Sequence, residues 1–147
     1  MKRIILIIFT VIAFSFLQPF FYGKYCWQKT FDDKNSVCSR ISLPDDFTRM
    51  KVKRESFGEW LRNLPLKEKN AGVFLYNNKL KGRQDVHEAV IDIDIGTKDL
   101  QQCADAVMRM RAEYLYSKNY IDSIHFNYTN GFECGFRKCS TGFRPVV

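Results

Sequence analysis

The side chains best suited to chemistry lie in the second half of the chain. Cys103 falls where a helix is predicted to begin, and the two histidines, His87 and His125, lie on either side of it in sequence. A thiol at a helix start faces unpaired N–H groups, which favour the thiolate form. Cysteine hydrolases combine such a thiol with a histidine on a neighbouring strand. This pattern makes Cys103 a candidate nucleophile, with His87 or His125 as an auxiliary group.

The same three residues also have a structural interpretation. Cys103 shares a helical stripe with Val107 and Met110, so burial as a small apolar side chain is the simpler interpretation. Histidines outside active sites are commonly exposed or hold structural hydrogen bonds. The enzymatic prediction therefore depends on finding the thiol near an imidazole and a cleft.

Three further residues are candidates for binding. Asp92 and Asp94 fall on one face of a predicted strand, as paired carboxylates do in acid–base or metal sites. The solvated outer face of a half-buried sheet explains the two aspartates equally well. Trp60 and three other aromatic residues form either a sugar-stacking surface or part of the core. Those three are Tyr76, Tyr114 and Phe126.

Local patterns predict the elements that would position these residues. Ser56 and Glu59 form a capping box before a short helix that Pro65 ends. Asp99 and Gln102 form a second capping box, which opens the longest predicted helix. Alternating apolar residues predict strands at 89–95 and 123–129. We therefore predict an α+β fold with a small antiparallel or mixed sheet, one long helix and one short helix.

The first 23 residues form a targeting segment. Lys2 and Arg3 precede an almost wholly apolar stretch that reaches Tyr22, which is typical of a cleaved signal peptide or of an uncleaved membrane anchor. We expect a linker at residues 24–44, an α+β domain at 45–147 and an extracytoplasmic location: periplasmic, secreted or membrane-anchored.

The net charge of +7 comes from basic residues scattered singly along the chain. Nucleic-acid binding requires a basic stripe with a recognition element, and neither is present. We therefore expect no nucleic-acid partner, a membrane contact only through residues 1–23, and attraction to cell-wall or other anionic envelope material.

Five cysteines suit an oxidising compartment. Two short loops could be closed by disulfides, one between Cys26 and Cys38 and one between Cys134 and Cys139, which leaves Cys103 unpaired. Because no CxxC spacing occurs, we expect no metal and no cofactor.

Three segments carry a resemblance to a known family: Phe57–Leu66, Leu80–His87 and Asp99–Val107. In sequence and order they resemble the bacterial family called domain of unknown function 4846. The resemblance implies an exported protein whose relatives continue past the position of Val147. In those relatives the later half contains a Gly-His segment similar to the histidine strand of papain-like peptidoglycan hydrolases. It therefore implies a truncated chain, corresponding to half of a papain-like fold, with the catalytic histidine in the missing half.

Two functions remain open from the sequence. The first is the N-terminal part of a papain-like cysteine hydrolase that acts on cell-wall peptide or amide bonds, with Cys103 as nucleophile. The second is a non-catalytic envelope module that binds a glycan or a protein.

Overall fold

A computed structural model describes Tyr25, Trp27 and residues 31–143. The fold is α+β, as predicted, with more helices than the two expected. Its elements are α1 (Val37–Arg40), α2 (Phe57–Arg62), α3 (Cys103–Ser117), α4 (Phe136–Ser140), β1 (His125–Asn127) and β2 (Glu133–Gly135), with 3-10 turns at Asp33–Asn35 and Ile121–Ser123. No helix in this described part combines the length and apolar character needed to cross a membrane.

Helix α2 begins where the sequence predicts. The hydroxyl of Ser56 accepts a hydrogen bond from the Glu59 N–H at 3.3 Å, which satisfies one free donor of the first turn. The Glu59 carboxylate accepts from the backbone N–H of Glu55, one residue before the predicted partner. The capping box is therefore present in a shifted form.

The core forms around α2. Tyr25, Trp60 and Leu64 are buried together, and partly buried aromatic side chains surround them. The Tyr25 hydroxyl donates to the Trp60 carbonyl at 2.8 Å, and burial raises the pKa of this phenol above its ordinary value. Ser36, also fully buried, precedes α1, whose Val37 N–H donates to the Leu64 carbonyl at 3.0 Å. Residues within the predicted linker thus pack on the domain.

The strand predicted at 89–95 is not present. The segment makes only a single bridge, between Ile91 and Leu66, with backbone hydrogen bonds from Lys67 to Val90 and from Asp92 to Pro65. Pro65 has no N–H with which to extend the ladder. The alternation correctly predicted that Ile91 packs against the core and that Ile93 is buried. It was wrong for Ile95, predicted on the same face, which is 42% exposed.

The only sheet in the described residues is a two-stranded antiparallel hairpin. Strand β1 occupies the middle of the predicted strand 123–129 and pairs with β2, with Phe126 opposite Cys134. The hairpin turn contains Gly131, whose φ of +84° suits glycine. Strand β2 leads directly into α4.

A disulfide joins β2 to α4. Cys134 and Cys139 are bonded, which confirms one predicted pairing. Cys38 carries a free thiol, and its predicted partner Cys26 lies outside the described residues.

Candidate functional site

Cys103 is the first residue of α3, and it is exposed. The interpretation of Cys103 as a core residue is therefore wrong. The helix also starts later than predicted: Gln102 is the N-cap, three residues after the predicted cap Asp99. The Gln102 N–H donates to the Asp105 carboxylate at 3.0 Å, and this bond anchors the first turn.

His87 lies in a loop. Its Nε2 is 3.2 Å from the carbonyl oxygen of Ala71. A carbonyl can only accept, so Nε2 carries the hydrogen and Nδ1 of the neutral ring is an acceptor. This Nδ1 is shielded from solvent and has no hydrogen-bond partner in the described part of the chain. His87 lines a cleft of about 510 Å³, which we call the His87 cleft.

His125 lies on β1 and is exposed. It lines a separate groove of about 470 Å³ together with Val107 and Arg111 of α3. Across the described ranges, no hydrogen bond joins Cys103 to His125 or His87, and the structure therefore does not assemble the expected thiol–imidazole pair.

The two aspartates lie in different surroundings. The Asp94 carboxylate accepts a hydrogen bond from the Gly96 N–H at 2.8 Å, which closes a tight turn. Asp92 is half-buried, and its backbone carbonyl accepts from the Trp27 indole at 2.7 Å. Among residues 31–143, Tyr25 and Trp27, no cluster of three acidic, histidine or cysteine side chains could hold a metal ion.

The four candidate aromatic residues divide between the core and the surface. Trp60 is 3% exposed, so it is not available to stack on a ligand, and its interpretation as a binding residue is wrong. Tyr114 packs against the same core. Tyr76 and Phe126 are exposed at 42% and 38%, but they line different clefts. Local sequence does not separate these two groups, since the ring chemistry is the same.

A third cleft, of about 470 Å³, lies beside the start of α3. Its lining includes Phe74, Tyr76, Lys81, Lys98 and Gln101, and we call it the aromatic–lysine cleft. Phe74 is 50% exposed, so two aromatic rings offer faces to a ligand. Neither lysine forms an ion pair within the described residues. Of these residues, sequence analysis identified only Tyr76.

A tight turn positions the aromatic residues of this cleft. The Leu75 N–H donates to the Lys79 carbonyl and the Lys81 N–H to the Val73 carbonyl, at 2.8 and 2.9 Å. Asn78 adopts a φ of +61° in the turn, a conformation that asparagine tolerates. The Gln84 side chain accepts from the Val73 N–H and donates to the Lys81 carbonyl, which holds both arms together.

Comparison with known proteins identifies the family of this chain but does not identify an activity. Neither the curated proteins nor the solved structures include a match to this chain. The model of the family described as domain of unknown function (4846) matches residues 37–147, which is most of the chain. The chain therefore belongs to the family of domain of unknown function 4846.

Proposed function

We propose that this chain is an exported, non-catalytic envelope protein, and that its aromatic–lysine cleft binds a glycan that carries carboxylate groups. One observation carries the proposal: the exposed residues Phe74 and Tyr76 line the same cleft as Lys81 and Lys98, whose ammonium groups form no ion pair with any described residue. Aromatic faces stack on the apolar side of sugar rings, and ammonium groups attract carboxylates.

Two observations support the extracytoplasmic location. Lys2 and Arg3 precede the apolar N-terminal segment, as in signal peptides and membrane anchors. The disulfide between Cys134 and Cys139 suits an oxidising compartment.

The positions of the histidines favour binding over hydrolysis. A general base must come within hydrogen-bond reach of the proton that it removes. In the described residues, His87 bonds to Ala71 and His125 lines the groove beside β1, so neither is placed to activate Cys103.

Co-sedimentation with purified peptidoglycan tests the binding proposal. We expect Tyr76→Ala and Phe74→Ala each to weaken binding by up to about tenfold, since a well-placed ring contributes about 0.5–1.5 kcal/mol. Lys81→Ala with Lys98→Ala should weaken binding mainly at low ionic strength, because salt screens exposed charges.

Phe47→Ala is the matched control. Phe47 is 69% exposed and lies outside the cleft, so its removal should leave binding unchanged. Equal loss of binding in Phe47→Ala and Tyr76→Ala would indicate a nonspecific apolar effect and would contradict the proposal. Unchanged binding in every cleft variant would also contradict it.

A second candidate function is a papain-like cysteine hydrolase, which the exposure of Cys103 at the start of a 15-residue helix favours. Release of free amino groups from peptidoglycan peptides distinguishes the two candidates. The binding proposal predicts no release from the wild type or from Cys103→Ser, and equal binding by both. Release by the wild type that is lost in Cys103→Ser would favour the hydrolase.

A further inference from the structure

The His87 cleft contains charges of both signs that do not neutralise one another. Its lining includes two basic and two acidic side chains: Arg40, Lys69, Glu68 and Glu88. Within the described residues, none of these four side chains forms an ion pair. Opposite charges that line one cleft without pairing leave room for a ligand that carries both signs, because each charge then gains a partner.

Arg40 is held in place by neutral groups. Its Nη1 donates to the Asn35 side-chain oxygen at 2.8 Å and to the carbonyl of Lys67. These bonds orient the guanidinium, and within the described part of the chain no carboxylate pairs with its charge. A positioned and uncompensated guanidinium is well suited to bind a carboxylate, which it can contact through two parallel N–H groups.

His87 adds an unsatisfied acceptor to the same cleft. Its Nδ1 is shielded from solvent and lacks a hydrogen-bond partner among the described residues. A shielded acceptor without a partner lowers stability until it meets a donor. Because Nδ1 is shielded, a ligand N–H reaches it only if the side chains around it move.

We propose that the His87 cleft binds a zwitterion, namely a free amino acid or a short peptide with both ends uncapped. The carboxylate pairs with Arg40 and Lys69, the ammonium group pairs with Glu88, and an N–H of the ligand approaches Nδ1 of His87. A cleft of about 510 Å³ has room for a dipeptide. This site is separate from the aromatic–lysine cleft and does not depend on the function proposed for it.

NMR titration of the ¹⁵N-labelled chain tests the proposal with three probes: the dipeptide Ala-Ala, its N-acetylated form and its C-terminal amide. We expect saturable shifts of the His87 ring nitrogens and of the backbone amides of 68–72 with Ala-Ala. Each capped form should bind about tenfold more weakly or worse, because it lacks one charge.

Glu88→Gln keeps the shape of this exposed side chain and removes its charge. It should weaken Ala-Ala binding at least about fivefold while leaving the affinity for the N-acetylated form unchanged. Glu133→Gln, an exposed substitution on β2 outside the cleft, is the matched control and should change neither affinity.

Equal binding of all three probes, or no saturable shift up to roughly 10 mM Ala-Ala, would overturn the proposal. Tyr76→Ala separates this result from the test of the aromatic–lysine cleft, since Tyr76 does not line the His87 cleft. Loss of Ala-Ala binding in Tyr76→Ala would also count against two separate sites.

Discussion

Replacement of Trp60 by alanine should cost most of what a single core residue can contribute to stability. Trp60 is 3% exposed. Its ring centroid lies 5.1 Å from that of Tyr25, 6.0 Å from that of Trp27 and 6.1 Å from those of Phe57 and Tyr114. Truncation of a buried tryptophan to alanine costs about 3–5 kcal/mol. Four rigid rings surround the cavity that the truncation would leave, so the cavity cannot collapse easily. We therefore expect the free energy of unfolding to fall by about 4 kcal/mol.

Urea denaturation measures this loss. A small domain is stable by about 5–15 kcal/mol, so Trp60→Ala should retain only a fraction of the native stability. With an m-value of about 2 kcal/mol/M, the denaturation midpoint falls by about 2 M. Trp60→Phe retains an aromatic ring and should lose about half as much or less.

Comparison with Tyr76→Ala makes the test specific. Tyr76 is 42% exposed, so its truncation should change stability by no more than about 0.5 kcal/mol while it weakens glycan binding. Trp60→Phe should show the opposite behaviour, with lower stability and unchanged binding. A Trp60→Ala variant that kept the wild-type midpoint but lost ligand binding would refute the assignment of Trp60 to the core.

Three further predictions concern the helix cap at Ser56, the disulfide and one ion pair. Ser56→Ala should lower stability by about 1 kcal/mol in urea denaturation, because the Glu59 N–H loses its acceptor; no change would argue against the cap. Removal of the Cys134–Cys139 bond in the double alanine variant should cost about 2 kcal/mol for so short a loop, and a smaller or opposite shift of the melting temperature would contradict this. Arg137 lowers the pKa of Asp122 through a side-chain hydrogen bond. The pair therefore stabilises the fold above the ordinary pKa of the carboxyl, and this contribution is lost as pH falls through the lowered pKa. At low salt, Asp122→Asn should remove this contribution to the pH dependence of stability. An unchanged dependence of stability on pH in the acid range would contradict the prediction.

Helices were predictable because their signals are local. The Ser56 cap and the break at Pro65 lie within ten residues of one another, and α2 occupies the interval between them. The long helix α3 was predicted from the same kind of signal, with a start three residues too early at Asp99. Two neighbouring polar residues, Asp99 and Gln102, could both cap the chain, and the Asp105 carboxylate favours the second.

The sheet was harder to predict because a strand needs a partner, and that partner is often distant in the chain. Residues 89–95 alternate correctly, and Ile93 is buried as the alternation predicts. Their partner is the short segment after Pro65, which supports one bridge and no continuous ladder. Alternation therefore predicted the burial of Ile93, but it predicted neither the exposure of Ile95 nor the lack of a continuous strand at 89–95. The positions of His87 and His125 depend on the same long-range packing, so local sequence does not predict which cleft each imidazole lines.

The exposure of Cys103 follows from the length of α3. At 15 residues the helix spans about 22 Å, and it packs on α2 and on the turn at Ile121–Ser123 mainly through its second half, where Tyr114 contacts the core and Leu115 is buried. Val107 is 69% exposed. The apolar stripe of α3 therefore extends beyond the part of the helix that other elements cover. An apolar stripe predicts burial only where a neighbouring element is present. The thiol therefore lies at the uncovered end, close to the aromatic–lysine cleft, and its accessibility arises from helix packing without requiring a catalytic role.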